Sequence, residues 1–349
     1  MRRHGINYDT GFFPGRVNTR PHFDRADVRR DMRAIAEDLH CGAVRISGGR
    51  PDRLSVAAEE AAAAGLEIWF APFPCELVPA EMLELFTECA ERAEDVRRGG
   101  AEVVLVTGCE VSLFADGFIP GADTHARIAA ILSGDPAVYA SMRDAPSGAR
   151  PLIGGGWGLE DGAPRQVNAF FAETVAAARA RFGGKITYAA GPWEDVDWGP
   201  FDIVSVDAYR SAENADAYRE EVRRHFAHGK PVAVTEFGCC TYSGAADRGG
   251  TGWMIVDRDA EPPRLDGTYE RDEREQVRYF RELLDVFESE GVDSAFWFTF
   301  AGFGLPHDPD PAHDLDLASY GVVTMLKDGT WQPKEVFHAI AAAYGAQSR

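Results

Sequence analysis

The sequence has no run of about 18 apolar residues, the length that a membrane-spanning helix needs, so no transmembrane helix is predicted. The first eight residues lack the apolar region of a secretory signal and lead directly into a predicted strand. Basic residues are scarce, because 36 lysines and arginines face 56 aspartates and glutamates, for a net charge of −20. This balance argues against nucleic acid and anionic membranes as partners, and we expect a cytoplasmic protein.

Metal and nucleotide signatures are also missing. The six cysteines show neither zinc-site nor CxxC spacing, and four of them lie in or beside apolar segments, so we expect reduced and mostly buried thiols. No glycine-rich phosphate loop follows the first strand, since glycines 154–156 lie in a loop region after a proline. We therefore expect no cofactor.

Strand-like apolar runs alternate with helix-like amphipathic segments along the chain. Strands are predicted at about residues 4–8, 43–47, 67–71, 102–107, 185–190, 202–207, 231–236 and 293–299. Helices are predicted at about residues 24–39, 55–65, 79–98, 166–182, 215–228, 271–291 and 334–344. Eight strands alternating with helices over 349 residues predict an α/β fold, a single (β/α)8 or TIM barrel that spans residues 1–349.

Three predicted connections, after strands 4, 7 and 8, are too long to be simple loops. They cover about residues 111–165, 237–270 and 300–332, and the first is expected to hold helices at about 123–132 and 136–143. In a TIM barrel these connections lie on the face formed by the carboxyl ends of the strands, where active sites are built. We expect the long connections to shape or cover a pocket.

Two predicted strands are β-branched runs that end abruptly in a glutamate. Residues 103–110 read VVLVTGCE, and residues 231–238 read PVAVTEFG. The residue at the carboxyl end of a buried parallel strand points into the mouth of the fold. Glu110 and Glu236 would therefore bring two carboxylates to one mouth, the minimum equipment for glycoside hydrolysis. A single such glutamate more often only begins a loop, whereas the pair favours catalysis.

This strand-to-glutamate pattern resembles the clan A glycoside hydrolases, a large group of retaining (β/α)8 enzymes. The resemblance implies that Glu110 is the acid/base at the end of strand 4 and Glu236 the nucleophile at the end of strand 7. It further implies substrate-site roles for Arg45 in strand 2, Tyr209 after strand 6 and Trp297 in strand 8, whose ring would floor a sugar subsite. The alternatives are a structural ion pair at Arg45 and ordinary packing at Tyr209.

Cys109 departs from the pattern of the clan, which usually has Asn immediately before the acid/base Glu to bond the sugar 2-hydroxyl. A thiol is a poor hydrogen-bond donor. The substitution leaves three possibilities: a substrate without that hydroxyl, a different donor, or a barrel no longer used as a glycosidase. Some actinobacterial proteins of this general appearance are labelled as abortive-infection proteins, a label that describes no chemistry.

The sequence therefore predicts a retaining glycoside hydrolase or transglycosidase that acts on a small glycoside. One Glu must be ionised to attack the anomeric carbon and the other protonated to assist the leaving group. A nearby Arg keeps the pKa of the nucleophile low and a Tyr hydroxyl orients it, roles that we assign to Arg45 and Tyr209. The alternative is a barrel that binds a ligand or transfers protons on a natural-product scaffold, in biosynthesis or in phage defence.

Two further features have open interpretations. Aromatic residues near the predicted strand ends suit a carbohydrate or simple core packing: Phe12, Phe13, Phe73, Phe114, Trp157, Trp193, Trp198, Tyr242, Trp253, Trp297, Phe300 and Phe303. Residues 307–316, with four Asp and two His, could hold Ca²⁺ or Zn²⁺. That segment lacks the glycine and terminal glutamate of an EF-hand loop, so a solvated acidic loop without metal is the favoured interpretation.

Overall fold

Eight parallel strands form a nearly closed barrel in the computed structural model, which describes residues 1–14, 17–135, 138 and 167–347. Hydrogen-bonded neighbours follow the order β5-β4-β3-β2-β1-β8-β7-β6, and one parallel bridge between Ala190 and Val206 links the two ends of this order. The predicted TIM barrel is confirmed. Its strands are β1 (Arg3–Asp9), β2 (Ala43–Gly48), β3 (Glu67–Pro72), β4 (Val103–Cys109), β5 (Lys185–Ala189), β6 (Val204–Asp207), β7 (Val232–Phe237) and β8 (Ser294–Trp297).

Most barrel strands are buried along their whole length, because helices cover one face and the barrel interior covers the other. Side chains alternate between these two environments along each strand. Ala43, Trp69, Val104, Ala233 and Phe296 are among those that fill the interior. The neighbouring strand residues pack against the helices. This alternation decides which residues can reach the mouth.

Helices surround the strands and begin and end where the sequence supplies the appropriate caps. The side chain of Asp24 accepts a hydrogen bond from the first turn of α1, and Pro51 begins α2 four residues before its predicted start. The helices are α1 (Arg25–Arg33), α2 (Pro51–Ala63), α3 (Pro79–Arg98), α4 (Val111–Phe114), α5 (Thr124–Leu132), α6 (Val167–Arg179), α7 (Tyr218–Arg224), α8 (Ala245–Arg248), α9 (Glu273–Glu290) and α10 (Glu335–Gln347).

Short elements extend several of these helices. A π-helical turn (Ala34–Asp38) continues α1, and 3₁₀ turns (His225–His228 and Gly249–Thr251) follow α7 and α8. The predicted helix at 123–132 corresponds to α5, whereas the one at 136–143 lies almost wholly outside the described residues. No helix separates β5 from β6, because residues 190–203, all of them described, form turns and irregular chain.

The connections after β7 and β8 are long and carry small elements of their own. The first, from β7 to α9, contains α8 and a two-stranded hairpin (Val256–Asp257 and Arg264–Leu265). The second, from β8 to α10, contains a 3₁₀ turn (Leu315–Ala318) and an antiparallel pair (Val323–Met325 and Trp331–Pro333).

The six cysteines are free, and five of them are buried. Within the described ranges, no helix has both the length and the apolar character needed to cross a membrane.

Candidate active site

Glu236, near the end of β7, is held by donors from two other parts of the barrel. Arg45 of β2 donates from Nη1 to Oε1 at 2.6 Å, and Tyr209, just after β6, donates from its hydroxyl to Oε2 at 2.9 Å. Each carboxylate oxygen therefore has a donor, and the bond from the guanidinium is charge-assisted. The structure brings Arg45, Tyr209 and Glu236 into direct contact.

Arg45 is itself fixed from below by Asn7 of β1. The guanidinium is fully buried, and Nη1 also donates to Asn7 Oδ1 at 2.8 Å. The Asn7 amide in turn donates to the Thr235 carbonyl at 2.8 Å, which ties β1 to β7. Although burial opposes the charged form, the acidic groups of Cys109, Glu236 and Asp207 raise the pKa of Arg45. Arg45 is therefore a permanent cation beneath the mouth.

Cys109 lies between two carboxyl groups. Its Sγ is 3.3 Å from Asp207 Oδ2 and 3.5 Å from Glu236 Oε1. Burial, and then the charges of Asp207 and Glu236, raise the pKa of the Cys109 thiol well above its usual range. Burial and the charge of Glu236 likewise raise the pKa of Asp207. The neutral forms of Cys109 and Asp207 are therefore favoured, and the thiol acts as a buried donor.

The same three side chains have ligand atoms within 4.8 Å of one another, a spacing that could hold a metal ion. However, the guanidinium of Arg45 already binds the Glu236 oxygen that faces Cys109. A metal ion at this point would meet that fixed positive charge at close range, where like charges repel strongly. We assign no metal to this cluster.

Glu110 follows β4 directly and has an unusual backbone conformation, in the left-handed region with φ 43° and ψ 43°. Its side chain is half-buried and makes no hydrogen bond within the described part of the chain. Burial raises the pKa of Glu110 well above its usual range, and the charges of Asp207, Glu236 and Glu194 act in the same direction, whereas Arg45 opposes them. Glu110 is thus set to carry a proton, whereas Glu236 accepts hydrogen bonds from Arg45 and Tyr209.

Trp297 does not reach the mouth. Its ring is fully buried against Phe237 and Phe280, and its indole nitrogen donates to the Tyr320 carbonyl at 3.0 Å. Because side chains alternate along β8, Phe296 points into the barrel and Trp297 points toward α9. This placement corrects the prediction that Trp297 floors a sugar subsite.

Three predicted aromatic residues do gather at the strand ends. Phe12 stacks on Phe73 with ring centroids 4.4 Å apart, and Phe114 meets Phe73 edge to face at 4.8 Å. Phe12 and Phe114 are half-buried and adjoin the interior residues of the barrel. Other members of the predicted set, including Trp198 and Phe300, are buried in the core. Trp157 lies outside the described residues.

The carboxylates of the acidic segment 307–316 are largely occupied by protein cations. Arg271 donates to Asp314 Oδ2 and to Asp316 Oδ2, each at 2.8 Å, and Lys334 pairs with Asp316 Oδ1 at 3.0 Å. His307 lies 3.0 Å from Asp314 Oδ1. Asp314 and Asp316 are buried, so the expectation of a wholly solvated loop is corrected. Protein cations take the positions that a metal ion would need.

Sequence reasoning missed three polar residues around the two glutamates. Asp207 ends an apolar run just as the glutamates do, so a search for carboxylates at every strand end would have found it. Asn7 is an isolated polar residue inside β1, and its partners belong to distant strands. Glu194 lies in an irregular connection, where the local sequence gives no signal of its position beside Glu110.

The fold is a TIM barrel, and comparison with known proteins shows which barrels it is similar to. No protein-family model and no curated protein matches the chain. Among solved structures, a GH113 β-1,4-mannanase has a TM-score of 0.62 at 15% identity, covering 100% of this chain and 99% of its own. A GH113 β-mannanase from Alicyclobacillus acidocaldarius has a TM-score of 0.59 at 18% identity, with 98% and 96% covered.

A β-glucosidase from Exiguobacterium marinum is also similar, with a TM-score of 0.58 at 11% identity and 99% of both chains covered. The structural neighbours are therefore GH113 mannanases and other clan A glycosidases. Likeness at this identity concerns the fold, and the chemistry has to be argued from the residues of this chain.

Proposed function

We propose that the protein is a retaining glycoside hydrolase or transglycosidase acting on a small glycoside, with Glu236 as nucleophile and Glu110 as acid/base. The observation that supports this most strongly is the asymmetry between the two carboxyl groups. Glu236 accepts hydrogen bonds from Arg45 and Tyr209, which stabilise a carboxylate. Glu110 has neighbouring carboxyl groups instead, and burial together with their charges raises its pKa. Retaining hydrolysis needs one ionised and one protonated carboxyl group.

The reaction proceeds in two displacements on this assignment. Glu236 attacks the anomeric carbon while Glu110 gives its proton to the departing glycosidic oxygen, which leaves a glycosyl ester on Glu236. Glu110, now a carboxylate, then takes a proton from water or from an acceptor alcohol, whose oxygen attacks the anomeric carbon. The ester bond breaks and Glu236 is regenerated as a carboxylate. Water gives hydrolysis and an alcohol gives transglycosylation.

The remaining residues serve this chemistry through Glu236 and the sugar. Arg45 and Tyr209 orient the attacking carboxylate, and Cys109 lies at the base of the site beside Glu236. Phe298, which follows the last residue of β8 and is half-buried, takes the place of Trp297 in the proposal, because its ring meets Tyr320 edge to face and Tyr320 meets Tyr209 in the same way. Phe12, Phe73 and Phe114, which follow β1, β3 and β4, provide an apolar wall.

A panel of aryl β- and α-glycosides tests the proposal with four variants of the chain. Glu236→Gln should abolish turnover, and Glu110→Gln should slow it most for substrates with poor leaving groups, which need the proton. Azide should rescue Glu110→Ala on activated substrates and yield a glycosyl azide, because a small anion needs no general base. Glu84→Gln, which changes an exposed carboxylate on α3, is the matched control and should behave like the wild type.

A barrel that has left sugar chemistry is the second candidate. The observation that favours it is Cys109, which lies against Asp207 and Glu236 where the clan has an amide facing the substrate. In that case the carboxyl groups would transfer protons on another scaffold. Failure of pure protein to hydrolyse any glycoside of the panel, with no azide product from Glu110→Ala, would support this candidate over the first.

A further inference from the structure

Glu194, in the connection between β5 and β6, lies behind the backbone turn that carries Glu110. Its Oε1 accepts hydrogen bonds from the Ser112 N–H at 3.1 Å and the Ser112 hydroxyl at 2.5 Å. Its Oε2 accepts from the Gly191 N–H at 3.0 Å, and the Tyr188 hydroxyl donates to both oxygens at 2.8–2.9 Å. One side chain thus joins β5, the β5–β6 connection and the first turn after β4.

The hydrogen bonds around Glu194 have a definite direction. The Tyr188 hydroxyl accepts from the Val111 N–H at 2.7 Å, and the Ser112 hydroxyl accepts from Trp193 Nε1 at 3.1 Å. In this arrangement both hydroxyls direct their own hydrogens at Glu194, where the Ser112 and Gly191 N–H groups also point. Burial raises the pKa of the Glu194 carboxyl group, while the hydrogen bonds from Ser112, Tyr188 and Gly191 act in the opposite direction. An ionised carboxylate only accepts hydrogen bonds, so these donors favour the charged form of Glu194 against the effect of burial.

The network holds the part of the chain that most needs support. Glu110 is a non-glycine residue in the left-handed region, a conformation that persists only when the surroundings fix it. The Glu110 N–H is bonded to the Ala189 carbonyl at 2.9 Å, and the next two N–H groups end at Tyr188 and Glu194. Glu194 and Tyr188 therefore help to hold the backbone turn from which the Glu110 side chain projects.

Charged groups from several elements face Glu110. Asp207 of β6, Glu236 of β7 and Glu194 act on it as acidic groups, Arg45 of β2 is the opposing cation, and Cys109 precedes it in the chain. The charge of Glu236 is lost when the glycosyl ester forms. Glu194 forms no covalent bond in either displacement, and its oxygens keep the same donors from Ser112, Tyr188 and Gly191 throughout.

We infer that Glu194 is a positioning residue for the reaction, because it fixes the turn that carries Glu110. It also keeps a negative charge near Glu110 when the charge of Glu236 is lost in the glycosyl ester and regained on hydrolysis. This inference rests on the proposed function only in naming Glu110 as the acid/base. In the first displacement the charge of Glu194 keeps the proton on Glu110 until the leaving group takes it. In the second it makes Glu110 a stronger base toward water.

The direct test is the titration of Glu110 itself, which needs no substrate. Glutamate labelled with ¹³C at the side-chain carboxyl gives one signal per residue, and Glu110→Gln identifies the signal of Glu110. In Glu194→Gln, which keeps the shape but removes the charge, the midpoint of Glu110 should move to lower pH. Glu84→Gln removes an exposed charge from α3 and should leave the midpoint unchanged. An unchanged midpoint in folded Glu194→Gln would overturn the inference.

Tyr188→Phe tests the positioning role separately and protects the test against a Glu194→Gln variant that does not fold. Phe keeps the ring but removes the acceptor for the Val111 N–H and one donor to Glu194. Hydrogen exchange at the Val111 and Ser112 amides should accelerate, while the titration midpoint of Glu110 stays high because the charge of Glu194 remains. Unaltered exchange at both amides would contradict the claim that the network holds the turn.

Activity provides the third measurement, because turnover separates this inference from the proposed function. In Glu194→Gln, kcat should fall by about tenfold to a hundredfold, and the alkaline limb of the pH profile should shift to lower pH. A lower kcat with an unshifted limb would contradict the electrostatic part of the inference. A shifted titration of Glu110 in a protein that hydrolyses no glycoside would support the role of Glu194 and refute the proposed function.

Discussion

At the scale of single residues, Arg45 sets the charge balance of the mouth. It is the cation in contact with Glu236, and it is fully buried among Asn7, Cys109 and Asp207. A buried ion pair as a whole contributes little to the free energy of unfolding. Removal of one partner is nevertheless strongly destabilising, because it leaves the other charge buried and uncompensated. We therefore expect substitutions of Arg45 to lower the stability of the protein.

Arg45→Leu should lower the free energy of unfolding by about 3–5 kcal/mol, because Glu236 and Asn7 lose their buried partner. Arg45→Lys keeps the charge and should retain most of the stability, yet a single ammonium cannot reproduce the two bonds of Nη1 in the same geometry. Urea denaturation at neutral pH measures both variants. Equal stability of Arg45→Leu and the wild type would contradict the burial and pairing described for this residue.

Glu110 provides a second residue-scale prediction, on the pH dependence of stability. Its folded pKa is raised by burial and by Asp207, Glu236 and Glu194 above the unfolded value of about 4.3. A raised carboxyl pKa makes ionisation costly only in the folded state, so stability falls as pH rises through the unfolded pKa toward the folded one. Below about pH 4 the group is mostly protonated in both states and the cost is small.

Glu110→Gln removes this cost, since the amide does not ionise. The variant should melt a few degrees above the wild type at pH 7, and the difference should shrink as the pH approaches 4. Differential scanning calorimetry over this range measures the effect, and Glu84→Gln on the exposed face of α3 is the control that should show little change. A gain of the same size at pH 4 and pH 7 would rule out the electrostatic cause.

At the scale of elements, the end of β4 decides where Glu110 and Cys109 point. The register of β4 against β5 shifts between Val106 and Cys109, and Gly108 in this irregularity has φ 99°. A Cβ at Gly108 would lie 2.6 Å from Val111 Cγ2 and 3.1 Å from Phe86 Cζ. The glycine is thus required by both backbone conformation and close approach.

Gly108→Ala should lower the free energy of unfolding by about 2–3 kcal/mol and reduce activity, because strain and collision act at the base of the Glu110 turn. Gly65→Ala is the matched control: Gly65 has φ 78° after α2, and no other atom lies within 4 Å of the added carbon. We expect a loss of about 1 kcal/mol there, with activity unchanged. Similar losses at both glycines would contradict the packing argument for β4.

The elements also explain which site residues the sequence could identify. The ends of β4 and β7 are visible as apolar runs that end in a carboxylate, so Glu110 and Glu236 could be placed at one mouth. Trp297 was misplaced because the inward or outward direction of a side chain depends on register to the single residue. Glu194 could not be found, because its role depends on contacts to Ser112 and Tyr188 across separate elements.

At the scale of the whole molecule, the barrel is closed most weakly between β5 and β6. A single bridge joins these strands, no helix lies between them, and side-chain hydrogen bonds supplement the backbone ones. The Thr187 hydroxyl donates to the Ile203 carbonyl at 2.9 Å and lies 2.7 Å from the Ser205 hydroxyl. The alternation of strands and helices predicted the barrel, but this seam depends on strand pairing that local sequence does not encode.

Thr187→Val should lower the free energy of unfolding by about 1–3 kcal/mol, because the variant keeps the shape but leaves the buried Ile203 carbonyl without a donor and the buried Ser205 hydroxyl without its partner. Thr107→Val is the comparison, since its hydroxyl bonds the Thr187 carbonyl across β4 and β5, which are joined by four residue pairs rather than by a single bridge. The smaller loss is expected there, as measured by urea denaturation. A larger loss for Thr107→Val would contradict the view of β5–β6 as the weak seam.

In the proposed mechanism Glu236 forms a covalent bond with the anomeric carbon of a sugar. Incubation with a 2-deoxy-2-fluoro glycoside that has a good leaving group slows the second displacement more than the first, so the glycosyl ester should accumulate. Peptide mass spectrometry should then recover the fluorosugar on Glu236, with no label in Glu236→Gln and normal labelling in Glu84→Gln. If the reagent is turned over while no residue carries the sugar, or if the label lies on another carboxylate, Glu236 is not the nucleophile.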